Sequence, residues 1–381
     1  MNQIRITAGA LVLLLLLAPK VSAAPPEPEG KAFCLMERST GRVLRAENEH
    51  LPLPPASVTK IMTLLLTMEA IDSGQLGWSD PVTASEAAAA KGGSQVYLKV
   101  GEVMTVEEMV KSVAVSSAND CACALAEKLC GSEAAFVERM NERAAELGMH
   151  DTQFVNCTGL DDSPEAKDHR TSAYDIALMS RELLGKHPDI RKFTTVWMDS
   201  VRDGAFGLSN TNKLVRFYPG CTGLKTGFTS GAGYCLSASA ERDGMELIAV
   251  VLGCETSKGR FSACRGLLDQ GFAEFALYTP EIPALSPIPV KLGTVSELLP
   301  IFGENPGILV PKKELSGVTA SLYLPQELHA PVEKGEKLGE LTVRSGDEIL
   351  ARISILSPQD VPRLSFGALF LRLLAKTASA G

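Results

Sequence analysis

A serine and a lysine three residues apart form the first of three short motifs that could carry out nucleophilic chemistry. The motif is Ser57-Val58-Thr59-Lys60. On a helix, residues i and i+3 lie on one face, so the lysine amine can reach the serine hydroxyl. A serine hydroxyl becomes nucleophilic when an adjacent base takes its proton, and burial lowers the pKa of a lysine enough to make it that base. The motif predicts Ser57 as nucleophile and Lys60 as general base.

Two further motifs supply polar groups for a leaving group and a substrate. Ser117 and Asn119, separated by one residue, interrupt a helical pattern; the hydroxyl could protonate a leaving amine and the amide could hold a peptide group. Lys225-Thr226-Gly227 lies in a Gly-rich stretch, where the lysine and the hydroxyl suit a carboxylate and the glycine admits a substrate backbone. Alone, each motif is equally typical of a cap, a strand end or chance. Together, each occurring once and in this order, they indicate a catalytic site.

The elements that must position these motifs follow from the apolar patterning. Residues 32–37 and 43–46 predict a β-hairpin around a Ser-Thr-Gly turn. Residues 57–71 are mostly apolar and carry only two charges, so this helix should be largely buried. Thr105 and Glu108 form a capping box that predicts the start of a helix. Helices are predicted over residues 105–115, 119–129, 132–148, 172–184 and 260–278.

Strands follow the central helices. Residues 234–240 and 245–252 flank Asp243-Gly244, a strong hairpin signal. Helices between a first hairpin and a later run of strands predict an α+β layered domain, placed at residues 30–279. A proline-rich linker comes next, and short alternating runs at residues 285–357 predict a small all-β domain.

The two ends of the chain predict targeting. Residues 1–24 have a positive start, an apolar run and small residues before a proline-rich stretch, the layout of a cleaved secretory signal peptide; an uncleaved anchor is the alternative. The tail, residues 360–381, places Phe366, Leu369, Phe370, Leu373 and Leu374 on one helical face beside basic residues. Such a helix suits the plane of an anionic membrane surface, although it could instead dock on its own protein.

Composition excludes some functions. The 381-residue chain has room for a large and a small domain, and its net charge of −8 argues against nucleic-acid binding. Its nine cysteines are an odd number and form no paired C-x-x-C motif, and its five histidines are scattered. The cysteines are therefore interpreted as small buried core residues, and no metal is predicted.

Through these three motifs and their order, the chain resembles the penicillin-binding protein and serine β-lactamase superfamily. More closely, it resembles the low-molecular-mass penicillin-binding proteins that are serine-type D-Ala-D-Ala carboxypeptidases, peptidase family S11. The resemblance is strong over residues 33–275. It is carried by the three motifs and by Leu53–Ser57, Lys60–Thr63, Phe154–Asn156, Thr158–Leu160, His169–Asp175, Leu224–Thr229 and Ala232–Tyr234.

The resemblance implies a β-lactamase/transpeptidase-like catalytic domain, an antiparallel sheet flanked by helices, and a role for each catalytic residue. Ser57 is expected to attack the carbonyl between two terminal D-alanines of a peptidoglycan stem peptide, with Lys60 as base. Backbone N–H groups of Ser57 and Phe228 are expected to form the oxyanion hole. Ser117 is expected to pass a proton to the departing D-alanine, after which water hydrolyses the acyl-enzyme.

The same resemblance implies the substrate-binding residues and the surroundings. Asn119, Lys225, Thr226, Gly227 and Arg260 are expected to bind the peptide and its terminal carboxylate. β-Lactam antibiotics are expected as covalent inhibitors, and no cofactor is required. The enzyme is expected to be exported and held on the outer face of the cytoplasmic membrane.

Several rivals share parts of this pattern. A class A β-lactamase needs a deacylating glutamate between the second and third motifs, and residues 165–169 do not match it. Transpeptidases and endopeptidases use the same residues with another acceptor or substrate, so the motifs leave them open. A non-catalytic wall-binding protein on the same scaffold is disfavoured by the intact motifs.

Overall fold

The structure is a computed structural model that describes residues 28–279, 284–303 and 307–371. The predicted signal peptide therefore lies outside the described residues. The end of the predicted tail, residues 372–381, also lies outside them.

The first part of the described chain contains both helices and strands. The helices are α1 Lys60–Asp72, α2 Glu86–Ala89, α3 Val106–Ser116, α4 Asn119–Cys130, α5 Glu133–Glu146, α6 Ala173–Lys186, α7 Arg191–Thr194, α8 Leu214–Phe217 and α9 Ser257–Glu274. The strands are β1 Ala32–Glu37, β2 Val43–Glu47, β3 Pro81–Thr83, β4 Val103–Thr105, β5 Met198–Val201, β6 Phe206–Ser209, β7 Cys221–Thr229, β8 Gly233–Arg242 and β9 Met245–Cys254. This composition confirms the predicted α+β class.

A five-stranded antiparallel sheet in the order β2-β1-β9-β8-β7 lies between two layers of helices. Side chains of β1 and β9 alternate between two cores. Cys34 and Val250 belong to the core that contains α1, whereas Leu35 and Ala249 belong to the core that contains α9. Because both faces of β1 and β9 are covered, these two strands are largely apolar instead of alternating with polar residues.

The predicted burial of the first helix is confirmed. Every residue of α1 from Lys60 to Met68 is buried, and a 3-10 turn, Ala56–Thr59, leads into it. The capping box is also present: the Thr105 hydroxyl accepts the Glu108 N–H, and the Glu108 carboxylate accepts the Thr105 N–H. These local features hold because they depend on neighbouring residues alone.

Two predicted helix ends differ from the structure. The helix predicted to end before Gly185 continues to Lys186, because a single glycine inside a packed helix costs only about 1 kcal/mol. The helix predicted over residues 260–278 is wrong at its end, since α9 stops at Glu274 and residues 275–278 form a strand, β10 Phe275–Tyr278. This strand pairs antiparallel with a strand of the following region, and that long-range pairing decides its conformation.

The C-terminal region is made of short strands, as predicted. They are β11 Ile288–Lys291, β12 Glu297–Leu298, β13 Ile301–Phe302, β14 Ile308–Pro311, β15 Val318–Tyr323, β16 Leu328–His329, β17 Lys337–Ser345 and β18 Glu348–Leu356. β13, β18, β17 and β15 form one sheet in that order, and its core contains Val343 and Ile353. Residues 366–371 are helical, and Phe366 and Phe370 are exposed there.

All nine cysteines lie within the described residues and are free thiols, seven of them buried. This agrees with their interpretation as small core residues. In the part of the chain that the structure describes, no helix is long and apolar enough to cross a membrane. The same residues contain no cluster of three or more metal-ligating side chains suited to an ion.

Candidate active site

Ser57 lies on the 3-10 turn that leads into α1. Ala56 before it adopts a positive φ of 47°, which turns the chain sharply from the proline-rich approach into the helix. In a 3-10 turn, residues i and i+3 lie directly above one another, so Lys60 extends beneath Ser57. Its Nζ lies 2.9 Å from Ser57 Oγ and 2.8 Å from the carbonyl oxygen of Thr158. The structure thus brings the first predicted pair into hydrogen-bond contact.

The environment of Lys60 suits a general base. Its side chain is fully buried, and this burial lowers the pKa of its amine from 10.5 to about 7, even though the nearby Cys157 and Asp120 favour the charged form. A substantial fraction of the amine is therefore neutral near pH 7. Because the Thr158 carbonyl accepts one amine N–H, the nitrogen is oriented and its lone pair can accept the Ser57 proton.

A tight loop holds the Thr158 carbonyl in place. The Asn156 side-chain oxygen accepts the backbone N–H groups of Thr158 at 3.1 Å and Gly159 at 2.6 Å. Gly159 has a φ of +81°, and a Cβ at this position would lie 1.8 Å from the Ala56 carbonyl oxygen. Only glycine allows the loop to approach the Ser57 turn this closely.

His169 fastens the same turn from the other side. The Val155 N–H donates to His169 Nδ1 at 3.2 Å, so Nε2 carries the proton and donates to the Thr59 hydroxyl at 2.8 Å. The Thr59 hydroxyl in turn donates to the Ala56 carbonyl at 2.8 Å. Burial, and then the nearby Lys60, lower the pKa of His169 to about 4. The ring is therefore neutral and acts as a positioning residue for the turn that presents Ser57.

The third motif lies on β7, at one end of the sheet order. A Cβ on Gly227 would be 2.6 Å from the Pro55 carbonyl oxygen and 3.1 Å from the Ser57 nitrogen, so the missing side chain lets β7 pack against the serine turn. The Lys225 side chain is buried and donates to the Thr226 carbonyl at 3.0 Å. Burial, followed by the charges of Lys60 and Arg260, lowers the pKa of Lys225 well below its ordinary value.

Arg260 supports β7 from α9. Its Nη1 donates to the carbonyl of Gly227 at 2.7 Å and to that of Cys235 at 3.3 Å, and its guanidinium lies over the ring of Tyr234. The side chain is only 8% exposed, so it is not the solvated surface charge that an arginine after a strand usually is. Phe228, which follows Gly227, is half-exposed and stacks on Tyr234 with ring centroids 4.3 Å apart.

The second motif lies where α3 ends and α4 begins. Ser117 is buried and closes α3 in a left-handed conformation, with a φ of +64°. Asn119 is also buried, and its amide donates to the Gly92 carbonyl at 2.7 Å. Its side-chain oxygen has no hydrogen-bond partner among the described residues. A buried acceptor without a partner costs about 1–3 kcal/mol, and a substrate N–H would satisfy it.

Sequence patterns missed two residues that organise the site. His169 entered the sequence analysis only within a matching stretch, and Asp120 not at all. Asp120 is fully buried, and its carboxylate accepts the N–H groups of Val96 and Leu98 at 3.0–3.3 Å. A charge in the first turn of a helix, followed by six apolar residues, was the available signal, but a charge there is also typical of an ordinary helix cap.

Sequence profiles of two protein families match the chain. The profile described as D-alanyl-D-alanine carboxypeptidase matches residues 19–256, and the one described as penicillin-binding protein 5, C-terminal domain, matches residues 284–363. The chain is 42% identical to D-alanyl-D-alanine carboxypeptidase DacF of Bacillus subtilis over 344 residues, covering 89% of this chain and 87% of the relative.

Solved structures are similar as well. Penicillin-binding protein 5 from Haemophilus influenzae superposes with a TM-score of 0.76 at 30% identity, covering 89% of this chain and 99% of that one. Penicillin-binding protein D2 from Listeria monocytogenes, solved in an ampicillin-bound form, has a TM-score of 0.58 at 32% identity, covering 64% of this chain and 97% of that one.

Proposed function

The chain belongs to the D-alanyl-D-alanine carboxypeptidase family and is a serine hydrolase of the penicillin-binding protein type, and from that premise we propose which residues carry the reaction. Ser57 is the nucleophile and Lys60 is its base. The observation that carries this assignment is the contact of 2.9 Å between the Ser57 hydroxyl and a fully buried amine with a pKa of about 7.

The reaction has two steps. In the first, Ser57 Oγ attacks the carbonyl carbon between the two terminal D-alanines of a peptidoglycan pentapeptide stem, and its proton passes to Lys60. Backbone N–H groups of Ser57 and Phe228 stabilise the oxyanion. The C–N bond then breaks, and the D-alanine amine leaves with a proton delivered through Ser117. In the second step, water attacks the ester and restores the free serine.

The remaining site residues bind the substrate. The unpartnered Asn119 oxygen accepts a peptide N–H of the stem, in keeping with its burial. Thr226 binds the terminal carboxylate. Arg260 contributes a positive field, and Lys225 adds to it in its charged form; the groups are close together, because Lys60 and Arg260 both lower the pKa of Lys225. Gly227 lets the substrate strand lie along β7.

β-Lactams are inhibitors of this site in our proposal, since their ring carbonyl acylates the same serine. Water is the preferred acceptor of the acyl group. An amine acceptor would make the enzyme a transpeptidase, and a cross-linked substrate would make it an endopeptidase.

A labelling experiment tests the assignment. Wild-type protein should become covalently labelled by a fluorescent penicillin, Ser57→Ala should not, and Ser79→Ala, which changes an exposed serine, should label normally. Unlabelled wild type, or labelled Ser57→Ala, contradicts the proposal. Incubation with a pentapeptide then identifies the reaction, because free D-alanine without a cross-linked dimer indicates a carboxypeptidase.

The chain organisation is part of the proposal. Residues 1–24 are an export signal, residues 30–279 the catalytic domain, residues 285–357 the β-domain and residues 360–381 a tail that lies on the outer face of the cytoplasmic membrane. The exposed rings of Phe366 and Phe370, 85% and 54% accessible, support the tail because an aromatic pair on a free helical turn gains from burial in a membrane interface.

Vesicle binding tests the tail. The full chain should sediment with vesicles that contain anionic lipid and less with purely zwitterionic ones, and Phe366→Asp with Phe370→Asp should abolish sedimentation. Tyr323→Asp, which changes an equally exposed ring in the β-domain, is the matched control. Binding that survives the double substitution contradicts a role for the tail.

A further inference from the structure

An aromatic groove lies beside the proposed active site and has no part in the catalytic steps. It occupies about 650 Å³ between residues 96–102 and the turn that joins β5 to β6. Tyr97 and Phe206 form its ring surface, with centroids 6.3 Å apart and an edge-to-face angle of 65°. Tyr97 is 69% exposed and Val100 is 66% exposed, so water covers apolar surface that the fold itself does not use.

The position of Tyr97 is held by strong constraints. Its φ is +59°, a conformation that bulky residues rarely adopt. Asp120 accepts N–H groups on both sides of it, from Val96 and Leu98. Arg202 donates to the Val96 carbonyl at 2.8 Å and to the Tyr97 carbonyl at 3.4 Å. Strain that the surroundings over-determine is typical of ligand-binding segments, and here it holds an aromatic ring that is mostly exposed to water.

The chain segment that lines the groove starts at the proposed active site. Residues 92–94 hydrogen-bond to Asn119, through its side chain to Gly92 and its backbone N–H to the Ser94 carbonyl. A Cβ on Gly93 would lie 3.3 Å from Leu160, in the loop that orients Lys60. Tyr97 is four positions after Gly93, a span of at most about 14 Å. A pentapeptide stem has a comparable reach, because the four residues between the cleaved bond and the sugar that carries the stem span about 14 Å when extended.

The chemistry of the groove selects the occupant. Arg202, which lines the groove, is neutralised by its pairing with Glu102, and Lys99 is the remaining cation of the lining. A ligand with one apolar face and polar edges that accept hydrogen bonds fits two rings, a valine and a lysine donor better than a cationic or purely apolar group does. An N-acetylated amino sugar has this character. On the basis of the proposed function, we propose that the groove binds the glycan strand whose stem peptide enters the Ser57 site.

Paired substrates test this inference. kcat and KM are measured for a disaccharide pentapeptide and for the same pentapeptide without sugar, with wild type, Tyr97→Ala, Tyr97→Phe, Phe206→Ala and the control Tyr323→Ala. In wild type, kcat/KM should be higher for the sugar-bearing substrate. Tyr97→Ala and Phe206→Ala should reduce that preference about tenfold through KM. Tyr97→Phe keeps the ring and should retain the preference, and Tyr323→Ala should leave it unchanged.

Other results overturn the inference. Equal losses on both substrates would assign the groove to the peptide or to structure, and an unchanged preference would show that the groove binds no sugar. Penicillin labelling of each variant shows whether its active site is folded. If wild type releases D-alanine from neither substrate, the proposed function fails. Calorimetry with a peptide-free tetrasaccharide of the glycan then tests sugar binding to the groove by itself, because wild type should bind it more tightly than Tyr97→Ala does.

Discussion

The pH dependence of acylation tests whether Lys60 is the base. Burial lowers the pKa of its amine from 10.5 to about 7. Only the neutral amine accepts the Ser57 proton, so the second-order rate constant for acylation should follow the neutral fraction. With this pKa, the neutral fraction is about 0.09 at pH 6 and about 0.9 at pH 8, and the rate should rise about tenfold between them before levelling off.

A lysine with an ordinary pKa gives a different curve. Its neutral fraction would rise about 100-fold between about pH 6 and pH 8 and would keep rising about tenfold per pH unit to about pH 10. The difference between the two pKa values corresponds to about 5 kcal/mol of destabilisation of the charged amine, which we attribute to burial. The shape of the profile therefore measures the desolvation of this one group.

The assay is stopped-flow acylation by a fluorescent penicillin without an amine, so that only the protein titrates in the range studied. Lys60→Ala should slow acylation at least about 100-fold at every pH. Lys128→Ala, which removes an exposed lysine on α4, should reproduce the wild-type curve. Lysine ε-carbon NMR with Lys60→Arg and Lys225→Arg assigns the titration to one of the two buried amines.

Two results would refute this reasoning. If the logarithm of the acylation rate constant still rises by one for each pH unit above about pH 9, the Lys60 amine is charged at neutral pH despite its burial. A flat profile in a folded protein would show that Lys60 does not accept the serine proton in the rate-determining step.

Three other substitutions probe the positioning of Ser57. Gly159→Ala should lower the free energy of unfolding, measured by urea denaturation, by about 3 kcal/mol or more, because the new Cβ clashes with Ala56 and the φ is positive. Gly74→Ala, where φ is also positive but the surroundings are open, should lower it by only about 1 kcal/mol. Equal losses in the two variants would contradict the packing argument. Gly227→Ala should slow penicillin acylation about 100-fold, because the new Cβ moves β7 away from the N–H of Ser57. Gly207→Ala, on β6, where a Cβ meets no other atom, should not slow it. Similar acylation rates for Gly227→Ala and wild type would exclude a tight contact between β7 and the Ser57 turn. The pKa of His169 is about 4 in the folded protein and near 6.5 in the unfolded chain, so lowering the pH from 6.5 to 4 should reduce the free energy of unfolding by up to about 3 kcal/mol. His169→Gln should flatten the plot of this free energy against pH in that range. Parallel plots for the two proteins would show that His169 is not held neutral.

Much of the fold could be predicted because its signals are local. The Thr105/Glu108 capping box and the Asp243-Gly244 turn act through residues three or fewer positions away, and both appear in the structure. The strand at residues 275–278 could not be predicted, because a short apolar run suits a helix end and a strand equally well. Its partner β14 lies about thirty residues further along the chain, and pairing with it decides the conformation.

The site shows the same division. The sequence alone determined which residues are the candidates for the chemistry, since Ser57 and Lys60 are three positions apart on one helical turn and the other two motifs follow in order. Only the tertiary structure decided that the pKa of the lysine is low enough for the proposed role as base. Its pKa falls because residues from α4, β7 and the loop at Thr158, about one hundred positions away, enclose it and exclude water. The desolvation of a side chain depends on all the groups that surround it in the folded protein, so the spacing of residues along the chain cannot predict it.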